Sequence, residues 1–299
     1  MANIPEIPNV HSQISFIYVE HAYIHVQDSA ILIIKKGIKT PIPSCTLACL
    51  ILGHGTTITH AAIRLLQGSG CVVIWDGEGQ RAFYAYGMEE SRKSKNFLKQ
   101  VDYYSNQKLH MKVVKKMYQK RFPNVDLTRM SLSQMRGSEG LRVKAIYQEY
   151  ANKYGIAWNK RSYNRDDWDS TDFINKALTV GNKLLYNICH AVILALGYSA
   201  TIGFIHTGNM RSFVYDLSDL YKKDFVIDVV FEAVSRGITD LELIRSLVRK
   251  KVFEEKLIRT MVNDINELFD EKEMILVDDQ GLWDTKQNIV PFSKNWGVE

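Results

Sequence analysis

Cysteine is scarce in this 299-residue chain: Cys45, Cys49, Cys71 and Cys189 are the only four, and only the first two lie close together. No second Cys pair or nearby His pair completes a zinc site, so the expected state is buried, reduced thiols rather than a metal cluster or disulfide framework. The early residues lack the basic, apolar and small-residue series of a secretion signal. The most apolar stretches are broken by Lys, Asn or His well before membrane length, which points away from a membrane partner and towards a cytoplasmic address. There is no repeat at a fixed period and no low-complexity stretch. With 46% apolar residues the chain is long enough to bury one large core or two ordinary ones.

Charge is unevenly placed. The net charge is +5, yet residues 91–121 hold ten Lys or Arg against Asp102 alone, a local +9 that leaves about −4 for the rest. Such asymmetry concentrates positive potential on one surface, where phosphate binding gains from counterion release. A solvated helix face is the other reading.

From Ile14 to Gly87 the pattern is β-like. Ile14 to Val19, Tyr23 to Val26, Ile31 to Ile34, Cys71 to Trp75 and Arg81 to Tyr86 are rich in β-branched and aromatic residues, with turns at Asp28-Ser29, Lys36-Gly37 and Asp76-Gly77. One short helix is expected from Thr59 to Leu66, ended by Gly68 and Gly70. After Glu90 the period turns helical: two helices split near residues 105–107, one from about Leu132 to Tyr150, a long core helix from Phe173 to Leu196, and three more from Phe225, Leu241 and Leu257. The expected class is α+β: a small β-rich domain over 1–90, a larger all-α domain over 91–282 and a tail over 283–299, with the boundary near Met88 to Ser91.

Three short segments could carry chemistry. Arg136-Gly137-Ser138-Glu139-Gly140 places two glycines, each costing about 1 kcal/mol relative to alanine, inside a helical pattern around Glu139. Either the glycines clear room for a ligand beside Glu139, or the segment is a turn between two helices. Gly203-Phe204-Ile205-His206-Thr207-Gly208 delivers a histidine into a glycine-rich turn. Ser212 can cap a helix on which Asp216 and Asp219, three apart, share one face. Neighbouring carboxylates raise each other's pKa unless a cation neutralises them. Glutamate, aspartate and one imidazole without thiolates form a hard donor set suited to magnesium or manganese, which can clamp a phosphate and activate a hydroxyl.

The strings Met135 to Gly140, Ile202 to Gly208 and Ser212 to Asp219 resemble, in order and separation, the three signature motifs of the CRISPR spacer-acquisition integrase. The likeness extends to Lys112 to Met117, to Trp158-Asn159 through Trp168, and to His60-Ala61-Ala62-Ile63-Arg64-Leu65, a form similar to subtype I-E. The resemblance implies Glu139, His206 and Asp219 as ligands of Mg2+ or Mn2+, with Asp216 as a further active-site carboxylate orienting a water or second ion. It also implies DNA contacts by Arg64, Arg81, Tyr163, Trp168 and His21, the last aligning with a tyrosine that splays the duplex end in relatives. Asn209 stands where a lysine often follows the His206 motif, with Arg211 two residues on. The implied reaction joins the 3′-hydroxyl of captured foreign DNA to a CRISPR repeat boundary by transesterification, or hydrolyses DNA when water attacks. The implied partners are DNA, a second copy of the chain in a homodimer, and a small ferredoxin-like adaptation protein. Two other readings compete. A non-enzymatic DNA-binding scaffold would leave Glu139, His206 and Asp219 scattered, and a generic phosphoesterase would have no use for a broad basic surface.

Overall fold

Two tight turns set the first sheet. Asp28 and Ser29 both take left-handed φ values, 50° and 59°, as do Lys36 and Gly37 at 50° and 80°. Left-handed pairs match the twist of flanking strands in two-residue hairpins, and they fold β2 (Tyr23–Gln27), β3 (Ala30–Lys35) and β4 (Ile38–Pro43) into an antiparallel meander. The computed structural model describes residues 15–77, 83–87, 94–127, 129–162 and 170–270, with backbone alone at 15, 83, 281–284 and 288–291. The short β6 (Thr57–Ile58) adds in parallel to β2, giving the order β4-β3-β2-β6.

The second sheet runs β1-β5-β7-β8, with β1 (Ser15–Val19), β5 (Leu47–Leu52) and β7 (Val72–Asp76) parallel and β8 (Phe83–Gly87) antiparallel at the edge. Every residue of β5 is buried. Helix α1 (His60–Gly68), begun by the Thr59 hydroxyl accepting from the Ala62 amide, covers one face with Ala62 and Leu66. The other face, with Cys49, Ile51, Val72 and Ile74, packs on Ala191, Leu194 and Ala195. Those three alanine and leucine residues end α5 (Phe173–Ala195), so the β-rich and helical parts meet in a shared apolar layer. Cys45 is exposed, against the expectation of burial, while the other three thiols are buried.

The helical part contains α2 (Lys95–Ser105), α3 (Gln107–Arg121), α4 (Leu132–Tyr154), α6 (Ser212–Asp219), a π-helical turn (Lys223–Ile227), α7 (Asp228–Ser235), α8 (Leu241–Glu254) and α9 (Leu257–Leu268) around α5. Gly181 lets the π turn close on α5, since a Cβ there would sit 2.8 Å from Val226 Cγ1. By length and composition α5 could cross a membrane, contrary to the sequence expectation, but it is enclosed as the central core helix. The division into a β-rich region followed by a helical one is as expected from the sequence. A β-hairpin, β9 (Gly281–Asp284) with β10 (Asn288–Pro291), follows near the end of the chain.

Candidate active site

Helix α4 runs without a break through Arg136 to Gly140, which overturns the reading of that segment as a turn. A capping box begins the helix, Ser131 and Gln134 each satisfying the other's backbone amide, and Gly155 at φ 66° closes it. Cβ atoms added at Gly137 or Gly140 would meet nothing within 4 Å, so no packing among the described residues requires these glycines. Three apart, the two glycines leave an open strip along one side of α4, the helix that carries Glu139. Its Oε2 accepts from Tyr118 Oη at 2.7 Å, and Arg121 Nη1 donates to Oε1. Burial and the Glu139 bond together push the Tyr118 phenol well above its usual pKa, keeping it a donor.

The loop carrying His206 is fixed from several sides. Gln100 of α2 donates to the carbonyls of Ser199 and Ile202 at 3.0 and 2.8 Å and accepts from the Ser199 amide at 2.7 Å. Arg136 donates to the Ile205 carbonyl. Asp216 accepts from the amides of Phe204, Ile205 and His206 at 2.5, 3.0 and 2.8 Å. Gly203 is obligatory, because a Cβ there would lie 2.3 Å from the His206 carbonyl oxygen.

His206 Nδ1 is 2.8 Å from Asp216 Oδ1, a pairing that puts the proton on Nδ1 and leaves Nε2 as the exchangeable ring atom. The ring is 40% exposed while the Asp216 side chain has no exposure at all. The Asp216 bond, opposed by burial and aided by Asp219, raises the imidazole pKa. Ser212 does not cap α6. Arg211 holds the cap position without a side-chain bond, and Ser212 Oγ instead donates to the Asn209 carbonyl at 2.7 Å and accepts its amide at 3.1 Å.

Asp219, one turn beyond Asp216, looks elsewhere. Its Oδ1 accepts from Lys222 Nζ, and its Oδ2 lies 3.2 Å from Arg121 Nη1. Burial alone would raise its pKa, but Lys222 and Arg121 hold it below the ordinary carboxylate value. Glu139 and Asp219, from α4 and α6, thus meet on one guanidinium nitrogen from the end of α3. Of the three residues that a non-enzymatic scaffold would leave scattered, Glu139 and Asp219 are brought together, while the His206 ring bonds to Asp216. Asp216 does not share the open face; its carboxylate is spent behind His206.

Among the described residues no three His, Cys, Asp or Glu side chains stand at metal-ligand spacing; Arg121 lies between the two carboxylates, and Lys222 holds the other oxygen of Asp219. The donor chemistry nevertheless fits a hard divalent ion: two carboxylates converge on one cationic point, and the His206 ring interacts electrostatically with Asp219. Tyr118, Arg121, Lys222, Arg136 and Gln100 were not singled out by the sequence. Two carried a signal, Arg121 as the last residue of the basic run and Arg136 as part of the segment around Glu139.

That run is less available than its charge suggests. Lys112 and Lys116 pair with Asp270 at 2.7 and 2.6 Å, and Lys120 pairs with Asp264 and Glu267 at 3.0 and 2.7 Å. One side of α3 is therefore clamped to the end of α9. Arg64 is exposed on α1, and His21 is exposed between β1 and β2 at φ 50°. The His21 ring meets that of His54 edge-on at 4.3 Å. Arg81, Tyr163 and Trp168 lie outside the described residues.

A β-rich region joined to a helical region, with two carboxylates and a tethered histidine on the helical side, defines a protein of two-part α+β architecture bearing a hard-donor site. Residues 16–153 and 124–267 match the family described as CRISPR associated protein Cas1. The chain belongs to the Cas1 family. It is 37% identical over 297 residues to the CRISPR-associated endonuclease Cas1 2 of Thermus thermophilus, covering 96% of this chain and 91% of that one. It is 40% identical over 226 residues to CRISPR-associated endonuclease Cas1 of Escherichia coli, covering 75% and 74%. The crystal structure of a TtCas1–DNA complex superposes with a TM-score of 0.73 at 39% identity, over 88% of this chain and 98% of that chain. A casposase bound to integration product shares the fold, with a TM-score of 0.62 at 16% identity.

Proposed function

We propose that this chain is a DNA endonuclease and integrase of CRISPR adaptation, of subtype I-E, acting on phosphodiesters at the Glu139–His206–Asp219 site. The observation that carries the reading is the meeting of Glu139 and Asp219 on Arg121 Nη1 from two different helices. Glu139, Asp219 and His206 Nε2 would hold Mg2+ or Mn2+, which when bound neutralises charge developing on the scissile phosphate. Asp216 is a positioning residue: it fixes the His206 tautomer and the loop that presents it. Membership of the Cas1 family and the DNA-bound relative support DNA as substrate.

The phosphate side of the site is built from arginine. Arg142 Nη1 and Arg211 Nη1 are buried and bond to no acceptor among the described residues. Arg211 lies over the rings of Tyr186 and Tyr215, at 5.9 and 5.2 Å, and Tyr215 meets the His206 ring at 5.9 Å. A buried guanidinium nitrogen without an acceptor is costly unless an anion completes it. Arg211 thus takes the part of the lysine replaced by Asn209. The 3′-hydroxyl of captured DNA would attack a phosphodiester at a repeat boundary and give up its proton; a bond from its oxygen to phosphorus forms, the bond from phosphorus to the 3′-oxygen of the flanking strand breaks, and that oxygen takes up a proton as the new 3′-hydroxyl. A homodimer working with a small ferredoxin-like protein completes the reading.

A joining assay tests it: supercoiled plasmid carrying a repeat, a duplex with 3′-hydroxyl ends, the small partner, and Mg2+ or Mn2+. His206→Ala is expected to join about 100-fold less DNA than wild type. Equal joining by both proteins overturns the assignment.

A further inference from the structure

The two carboxylates of the site are already neutralised from within. Arg121 Nη1 donates to Glu139 Oε1 and lies 3.2 Å from Asp219 Oδ2, and Lys222 Nζ donates to Asp219 Oδ1. Two negative and two positive groups balance, with the Arg121, Glu139 and Asp219 side chains only 13%, 18% and 9% exposed. A divalent cation on those oxygens would compete with a guanidinium and add two charges to a balanced cluster with little water to screen them. Its entry therefore depends on where Arg121 goes.

Arg121 is well placed to leave. It stands in the last turn of α3, and beyond the two carboxylates its guanidinium has the Phe122 ring at 5.2 Å. A side-chain rotation frees it without disturbing the helix. Its planar fork fits the two non-bridging oxygens of a phosphodiester as it fits a carboxylate. The strip cleared by Gly137 and Gly140 lets a sugar-phosphate chain come up to the same helix that carries Glu139.

We propose that Arg121 is a functional residue of this site, exchanging between the Glu139–Asp219 pair and a DNA phosphate, so that metal and DNA favour each other's binding. The proposal rests on the preceding reading in placing the ion on Glu139 and Asp219. Arg121 holds the two carboxylates together until a phosphate takes the guanidinium and releases them to the ion. Because coupling between two ligands is reciprocal, Mn2+ tightens DNA binding by the same factor that DNA tightens Mn2+ binding.

The test is Mn2+ titration of the full-length protein, followed by electron paramagnetic resonance of the free ion, with and without a short duplex; Glu139→Gln with duplex supplies the background from DNA alone. Wild type is expected to bind Mn2+ at least ~10-fold tighter with duplex present. Arg121→Gln is expected to bind Mn2+ at least ~10-fold tighter than wild type without DNA, and to gain less than ~2-fold from adding it. Unchanged Mn2+ affinity and unchanged DNA dependence in Arg121→Gln overturn the exchange while leaving the metal site standing. Mn2+ binding that is the same in wild type and Glu139→Gln overturns the metal site, and the exchange with it. Should Arg121→Gln not fold, Arg121→Lys keeps the charge but loses the fork. It is expected to raise Mn2+ affinity by a smaller factor, and an affinity equal to wild type overturns the proposal.

Discussion

Replacing Asp216 with alanine separates scaffold from ligand. The carboxylate has no side-chain exposure and accepts the amides of Phe204, Ile205 and His206 at 2.5, 3.0 and 2.8 Å, besides the His206 ring at 2.8 Å. Phe204 and Ile205 are themselves buried, so truncation strands their amides away from water. Each stranded donor costs about 1–3 kcal/mol, and partial entry of water reduces the total to roughly 3–5 kcal/mol. A carboxylate aimed at an ion alongside Glu139 and Asp219 predicts the reverse. With the metal chelated it would be one of three like charges, and its removal would leave stability unchanged or improved. Urea denaturation at pH 7 in EDTA, followed by tryptophan fluorescence, distinguishes the two. Asp216→Ala is expected to lose at least ~3 kcal/mol, and Asp216→Asn, which keeps one acceptor oxygen, to lose less. A loss below about 1 kcal/mol for the alanine variant would refute the positioning role.

Two further outcomes follow from the same geometry. Gly137→Ala and Gly140→Ala each add a methyl group into open space within a helix, so thermal unfolding should show a gain of about 1 kcal/mol apiece while duplex binding in a filter assay weakens; tighter duplex binding would contradict the open strip. Asp228 joins three elements, accepting from Lys153, Tyr154 and Lys251 at 2.8, 2.6 and 2.9 Å; burial opposes, but these bonds bring its pKa down to about 2 from 3.8. A depressed folded pKa gives stability present above the unfolded value and lost as pH falls from about 4 towards 2, so Asp228→Asn should cost about 1 kcal/mol at pH 7 after solvent screening and progressively less in acid melts. A cost that stays constant down to about pH 2.5 would argue against the linkage.

The helical half was legible because its elements are amphipathic and long: the apolar stripes of α3, α5, α8 and α9 repeat at helical spacing, and the offset between α2 and α3 falls at Asn106, whose side chain caps α3. The hairpin turns were legible from Asp28-Ser29 and Lys36-Gly37. Strand β5 was not, since a parallel strand buried on both faces reads Leu-Ala-Cys-Leu-Ile-Leu without alternation. Strand β4 was hidden by the opposite cause: its residues are mostly exposed, and it contains Pro41 and ends on Pro43, which suits an edge but breaks a strand signature. The glycines around Glu139 misled in one respect. Their helix penalty argued for a turn, but α4 is long and capped at both ends, and its other residues carry it through. Charge summed along residues 91–121 also overstated the basic surface, because the matching acids, Asp264, Glu267 and Asp270, come from a distant helix and its end.

No spacing rule could have told Asp216 from Asp219, which stand three apart on one helix. The difference lies in what neutralises them. Asp216 is balanced by backbone amides of a loop that cannot withdraw without unfolding that loop. Asp219 and Glu139 are balanced by side chains on rotatable stems, Lys222 and Arg121, which can be exchanged for another cation at the cost of a rotamer. Exchangeable partners alone do not mark a site, for Lys120 also joins two carboxylates, Asp264 and Glu267. Those are neighbours three apart on one helix; Glu267 is 61% exposed, so water already serves it, and Asp264 has a second fixed donor in Tyr221 Oη at 2.7 Å. At the candidate active site the carboxylates come from two helices, are mostly withdrawn from water, and share the vicinity of a histidine whose free ring nitrogen is oriented by a third acid. A site assembled from distant segments around removable counter-charges has a use for a ligand that a surface ion pair does not.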